Sequence, residues 1–297
     1  MKIVRITDGL GNQMFQYAFA LAVRKKTGEK VVLDRNWFPE FGGKLRNAVP
    51  RTFGLSAYNL SIKDYVSREE SERVIYGSGL RGKVNQLLHL RPGLLREDRF
   101  NLSLNNLDCY IGKDYVFRGF FQKSEYPAYV RDELLEQFSL DEALLNDENR
   151  RLIDKIEACG GSAVFVHVRR GDYVLESSRK VFGLCSLEYY ANAVRVIADK
   201  AGIVPHLFVF SDDMKWVKEN YHPDFPVTFV DFNPADQPHL DINLMRHCRH
   251  GVTANSTFSW WGAWLIENPN AVIVSPARWY AGNYSAEGLR PTSWHLV

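Results

Sequence analysis

The sequence predicts an α/β protein of two domains, the second built on a doubly wound parallel sheet. Three observations predict it. From residue 163 onward, short β-branched and aromatic runs alternate with helical stretches at the spacing of βαβ crossovers. The run Ala163-Val164-Phe165-Val166-His167-Val168 has the length and composition of a strand buried on both faces, as strands of parallel sheets are. Polar clusters then close three of these runs: His167 to Asp172, Ser211 to Asp213, and Asn255 to Thr257. In a parallel sheet such clusters share one rim, outside the carboxyl ends of the strands, where ligands of open α/β sheets bind.

Taken in order, Lys2 to Thr7 reads as a strand, Asp8 to Gln13 as a tight loop, and Met14 to Lys26 as a helix stopped by Gly28. Val31 to Leu33 resumes as a second strand. This opening invites a dinucleotide-binding reading with Asp34 on the ribose, but the glycine fingerprint is incomplete. Gly9 and Gly11 are present, while Met14 holds the third position. A short glycine loop still lets a ligand approach backbone amides, and Asn12 offers both a donor and an acceptor. Between Phe38 and Asn106, Gly, Pro, Asn and charged residues interrupt short apolar pieces, which predicts loops with short helices. Tyr115 to Phe121 reads as a strand and Glu125 to Phe138 as an amphipathic helix. The polar stretch Ser139 to Arg151 suits a domain boundary, giving domains 1–150 and 151–297.

In the second domain, Ser186 caps a helix running to Lys200, with Gly202 just beyond. His206 to Phe210 is a strand followed by a short helix through Trp216, and Val227 to Val230 is another strand. A helix from Leu240 to Arg249 closes at Gly251, before a strand from Val252 to Ala254. A strongly apolar helix, Phe258 to Ile266, and a strand, Ala271 to Val274, complete the pattern.

Composition excludes several classes. An apolar share of 45 % with seven Trp, fourteen Tyr and eighteen Phe argues against disorder. Lys plus Arg at 37 against Asp plus Glu at 35 leaves a net charge of +2, too balanced for a nucleic-acid binder. Any anion site must therefore be local. Cys109, Cys159, Cys185 and Cys248 lie scattered, as thiols of a reducing compartment do. No secretory signal is visible, and no apolar run approaches the ~18 residues a membrane span needs. The expected location is the cytoplasm, with at most peripheral association at the inner membrane.

The chemistry of the three clusters divides the work. Arg169 and Arg170 present adjacent guanidinium forks suited to a diphosphate. Ser256 and Thr257 open a helix whose amides and dipole favour phosphate as well. An ionised Asp only accepts hydrogen bonds, so Asp212 suits a heterocycle edge with two donors, as guanine has at N1–H and its exocyclic amine. That points to a GDP-linked compound. His247-Cys248-Arg249-His250, with His239 and Asp241, offers zinc ligands, but the spacing matches no standard zinc pattern. Ile242, Met245 and Cys248 instead form an inward helix face, and Trp260, Trp261 and Trp264 read as core, with sugar stacking the alternative.

Four blocks resemble the bacterial α-1,2-fucosyltransferases. They are Gly9-Leu10-Gly11-Asn12-Gln13-Met14-Phe15-Gln16-Tyr17-Ala18, His167-Val168-Arg169-Arg170-Gly171-Asp172-Tyr173, Phe210-Ser211-Asp212-Asp213, and Thr253-Ala254-Asn255-Ser256-Thr257-Phe258-Ser259-Trp260-Trp261-Gly262. The His-x-Arg-Arg block is shared with α-1,6- and protein O-fucosyltransferases, while the first and last blocks narrow the resemblance to the α-1,2 group. The resemblance implies a two-domain GT-B-like glycosyltransferase in which the N-terminal domain faces the acceptor. It implies a GDP-β-L-fucose donor, inversion at the anomeric carbon, a terminal galactoside acceptor such as one in O-antigen, and no metal or other cofactor. By resemblance Arg169 would hold the β-phosphate, and His167 and Asp212 the guanosine end. Ser256, Thr257 and Phe258, with Asn255, would hold the diphosphate. Gly11 and Asn12 would close over the donor. Asp172 stands near enough to be the catalytic base, and ordering the two arginines is the other role open to it. The alternatives are a nucleotide-dependent oxidoreductase resting on Asp8 to Asp34, and a non-catalytic nucleotide- or glycan-binding protein.

Overall fold

The computed structural model describes residues 1–42, 51–174, 180–282 and 284–297. The chain divides into two α/β units, Met1–Ser139 and Leu140–Val297. The first opens with β1 (Lys2–Arg5), α1 (Leu10–Thr27) and β2 (Val31–Asp34). It continues through α2 (Arg68–Tyr76), α3 (Gly79–Leu87), β3 (Leu94–Arg96), β4 (Tyr115–Arg118), α4 (Glu125–Tyr129) and α5 (Arg131–Gln137). The strand order is β2-β1-β4-β3, with every pairing parallel. A helix apolar on every side must be buried, and in α1 Met14 to Val23 are all buried. Phe19 stacks on Phe121 with centroids 3.8 Å apart and meets Phe117 edge-on at 5.3 Å, which seats α1 on the sheet.

Three expectations for this unit are corrected. The helix begins at Leu10, so Gly11, Asn12 and Gln13 form its first turn and not a loop. The amides of Asn12 and Gln13 donate to the Gly9 carbonyl at 3.0 and 3.1 Å. Gln13 also donates to the carbonyls of Asp8 and Thr52 and accepts from the Gly54 amide, at 2.7, 2.8 and 2.9 Å. Those tertiary bonds offset the weak helix propensity of the glycines. Asp34 is fully buried and accepts from Arg5, Ser71 and both nitrogens of Asn36, so its carboxylate is committed inside the unit and does not await a ribose. The helix expected from Glu125 to Phe138 is two helices, because buried Val130 leaves helical geometry with φ −122° and ψ 32°.

The second unit contains α6 (Asp147–Ala158), β5 (Ala163–Val168), α7 (Leu187–Ala201), β6 (His206–Ser211), α8 (Met214–Asn220) and β7 (Val227–Val230). α9 (Pro238–His247), β8 (His250–Val252), α10 (Thr257–Trp264), β9 (Ile273–Ser275) and β10 (His295–Leu296) complete it. The order β10-β9-β8-β5-β6-β7 is parallel throughout. Alternation along β5 shows the double winding. Val164, Val166 and Val168 pack with Tyr190, Ala193, Val194 and Ile197 of α7. Ala163 and Phe165 pack on the other side with Ile156 of α6 and with Leu244 and Met245 of α9. A strand covered on both faces must be apolar at every position, and all of β5 is buried. The fold class is as expected: α/β, with a parallel sheet in each unit and the second doubly wound.

Candidate active site

In the second unit β5 lies between β8 and β6, so the chain segments leaving these three strands emerge side by side. Arg169 and Arg170 follow β5, Asp212 and Asp213 follow β6, and Asn255 and Ser256 follow β8. The three polar clusters thus converge on one rim.

Asp212 joins the first two clusters. Arg169 Nη1 lies 2.8 Å from Asp212 Oδ2, and the Arg170 amide donates to Asp212 Oδ1 at 2.8 Å. The Arg169 side chain is 18 % exposed, enough to reach solvent yet held in one orientation. A charge-assisted bond to a fixed carboxylate removes the rotamer entropy that binding would otherwise cost. Gly171 makes the arrangement possible by absence of bulk. A Cβ there would stand 2.1 Å from Asp212 Oδ2. Close approach, and not an unusual backbone angle, is the reason for glycine.

Arg170 takes a different course from its neighbour. Its Nε donates to Asp213 Oδ2 at 3.2 Å, and its guanidinium lies 3.5 Å from the centre of the Trp216 ring. The two arginines are therefore ordered by Asp212 and Asp213. Of Asp172 the backbone lies in the turn Gly171–Val174, and its side chain lies outside the described residues. Asp213 also caps α8 by accepting from the Trp216 amide at 3.3 Å. Sequence reasoning passed over Trp216. The available signal was an aromatic in the first turn of a helix that follows a strand adjoining an arginine.

At β8 the third cluster closes the site. Tyr173 donates to the Asn255 carbonyl at 3.2 Å, and its ring lies 5.2 Å from the Arg169 guanidinium. Asn255 is buried and donates to the carbonyls of Phe182 and Trp279 at 2.8 and 3.1 Å, so its side chain ties loops together beneath the rim. Ser256 is the N-cap of α10 and accepts from the Phe258 amide at 3.3 Å. The helix dipole there adds positive character to the rim. The Phe258 ring lies 5.4 Å from that of His167. Burial and the Arg169 charge depress His167 to about 3, so its ring is neutral across the physiological range. Its Nδ1 is buried with no hydrogen-bond partner among the described residues. Gly11 and Asn12 belong to the first unit, where Asn12 Oδ1 accepts from Gln122 at 2.9 Å.

Three of the residues in the zinc alternative have other partners. His247 faces Glu157 at 3.5 Å, buried Cys248 contacts the Leu244 carbonyl, and His250 Nδ1 accepts from the Val272 amide at 3.0 Å. Among the described residues no group of three or more His, Cys, Asp or Glu is placed to share a metal ion. Trp260, Trp261 and Trp264 are core, and Trp260 Nε1 donates to the Leu289 carbonyl at 2.9 Å.

A doubly wound sheet with a carboxylate-anchored arginine and a helix N-terminus at its carboxyl rim defines an α/β protein whose rim suits a nucleotide-type anion. Residues 83–295 match the model of glycosyl transferase family 11, and the chain belongs to that family. It is 32 % identical over 302 residues to the O-antigen biosynthesis glycosyltransferase WbnK of Escherichia coli, covering 97 % of this chain and 98 % of that one. It is 28 % identical to an α-1,2-colitosyltransferase of Escherichia coli, with 94 % and 92 % covered. A galactoside α-(1,2)-fucosyltransferase 2 of Gorilla gorilla gorilla is 24 % identical, with 86 % of this chain and 66 % of that one covered. The resemblance carried by the four sequence blocks is borne out at the level of the family, and the protein is a glycosyltransferase related to α-1,2-fucosyltransferases.

Proposed function

We propose that this enzyme transfers L-fucose from GDP-β-L-fucose, with inversion, to the 2-hydroxyl of a terminal galactoside during synthesis of an O-antigen or similar surface polysaccharide. The observation that carries this reading is the Arg169–Asp212 pair, fixed at the rim beside the N-terminus of α10. Breaking the anomeric C–O bond leaves growing negative charge on GDP, and preorganised donors stabilise such charge without reorganising. The Arg169 guanidinium is a planar fork of five N–H donors, the geometry that suits a diphosphate. Asp212 retains lone pairs on both oxygens, so reading a guanine edge stays open to it. A histidine depressed to about 3 is too weak a base to activate the acceptor hydroxyl, so His167 positions the nucleotide instead. Asp172 is proposed as the base.

The relatives' names support the reaction class, and the colitosyltransferase makes a second deoxysugar donor the alternative. The buried, satisfied Asp34 tells against the oxidoreductase. All four cysteines are free, which suits a reducing cytoplasm. Among the described residues no helix is long and apolar enough to cross a membrane.

The test incubates the protein with GDP-fucose or GDP-colitose and a panel of β-galactosides, followed by linkage analysis of products. Galactoside-dependent GDP release with an α-1,2-fucosyl product is expected. Transfer from GDP-colitose alone would overturn the donor assignment. GDP binding without transfer to any galactoside would make the protein a binder.

A further inference from the structure

The first unit has a rim of its own. Each of its four strands ends on a charged residue: Asp34 on β2, Arg5 on β1, Arg118 on β4 and Arg96 on β3. The register pairs Arg5 with Asp34 and Arg96 with Arg118, and pairs Val4 with Phe117, so across the sheet the row reads Asp34, Arg5, Arg118, Arg96. Residues in register on parallel strands project to the same face. Three arginines therefore stand abreast, an arrangement that costs stability unless something answers the charge.

Two of the three are answered within the unit. Arg5 bonds to Asp34 at 2.9 Å, and Arg96 to Asp98 with its Nε at 2.9 Å. The central Arg118 has no side-chain hydrogen bond or ion pair among the described residues, and neither has nearby Arg91. Glu97 lines the same cavity but is bonded to backbone, its Oε2 accepting from the amides of Phe120 and Phe121 at 2.8 Å each. Arg118 is exposed at its strand end; partial desolvation, and then the like charges of Arg5, Arg96 and Arg91, hold it below the ordinary arginine value, opposed by Asp98. The row opens into a cavity of about 760 Å³, within the range of ligand sites. Besides Arg91 and Arg118, Trp37, Tyr76 and Phe120 line it with aromatic surface.

We propose that this cavity binds the acceptor glycan by an anionic group, a sugar carboxylate or a phosphate, which forks onto Arg118 with Arg91 beside it. The proposal rests on the glycosyl-transfer reading for what the ligand is, while the anion site itself rests on the arginine row. A planar guanidinium with no counter-ion of its own, flanked by like charges, gains more from a bidentate oxyanion than an arginine already paired does. The aromatic faces suit the C–H faces of sugar rings, leaving the anion to fix the register of the chain in the cavity.

The test is calorimetric titration at low ionic strength with the protein saturated in GDP, so that the other rim is filled. Glucuronate and inorganic phosphate are the two probes. Saturable binding of one or both is expected, weakened tenfold or more in Arg118→Gln and partly kept in Arg118→Lys. Uptake of glucuronate alone assigns a sugar acid, and of phosphate alone a phosphorylated acceptor. If the GDP complex takes up neither anion, or Arg118→Gln binds as tightly as wild type, the proposal is overturned. GDP affinity, measured first and expected unchanged in Arg118→Gln, separates the two readings. Its absence in wild type would remove the proposed function, whereas loss of the anion signal alone would remove only this inference.

Discussion

Arg169 is useful because Asp212 has already oriented it, and substitutions on either side of that bond should read out differently. Lysine at 169 keeps the charge but not the planar fork. Arg169→Lys is therefore expected to lower kcat as well as raise KM for GDP-fucose, since the charge it meets grows as the bond breaks. Steady-state kinetics decide it, and an unchanged kcat would assign the leaving-group charge to another residue. Gly171→Ala acts at one remove. Its new methyl would displace the Asp212 carboxylate, which a Cβ would approach to 2.1 Å, and so release both Arg169 and the Arg170 amide. A fall in kcat/KM of about tenfold or more is expected, the loss of at least one charged hydrogen bond, with thermal stability nearly kept. A variant that unfolds instead would show that the turn is needed for the fold.

Among the elements, α9 carries a carboxylate whose surroundings disfavour its charge. Asp241 accepts from Asn233 at 2.7 Å, and Asn233 is also bonded to Asn149 of α6, so the network ties α9 to the helix that opens the second unit. Burial lifts Asp241 from the usual 3.8 to about 6, opposed by the Asn233 bond. The folded chain thus keeps its proton to higher pH than the unfolded chain. Between about pH 4 and pH 6 the unfolded state binds fewer protons, so this group's contribution to stability falls as pH rises and stays low above 6. Asp241→Asn keeps an acceptor for Asn233 and removes the charge. It is expected to raise stability at pH 7.5 by on the order of 1–2 kcal/mol, with the difference vanishing near pH 4. Urea titrations at both pH values test this, and equal stabilities at pH 7.5 would place the carboxylate in contact with water.

At the scale of the whole molecule, a net charge of +2 leaves any anion binding to local arrangements, and each unit carries arginines on the carboxyl rim of its own parallel sheet. On the proposed reading the second unit's rim meets the donor's charge with Arg169 and helix amides, which motivates the proposal that transfer needs no metal. Activity is expected to persist in excess EDTA. Complete loss, restored by magnesium or manganese, would show that these groups do not suffice for the leaving diphosphate.

The second unit was largely legible in the sequence because a strand covered on both faces must be apolar throughout, and local patterning reports that directly. Val227–Val230 was read to the residue, and the cap at Ser186 and the stop at Gly202 were read from their own chemistry. The first unit was less legible. β3 has only three residues, too few for a period to register, and β10 has two. The start of α1 depends on bonds from Gln13 to residues as distant as Thr52 and Gly54, which no local window contains. The sequence by itself determined the fold class, the three polar clusters and the family they belong to, since each is written in contiguous residues. Only the tertiary structure decided that Asp212 and Asp213 hold the two arginines, that Trp216 lies against Arg170, and that Arg5, Arg118 and Arg96 stand abreast. Those relations are set by strand order and register, which bring together residues dozens of positions apart, and no stretch of chain encodes them alone.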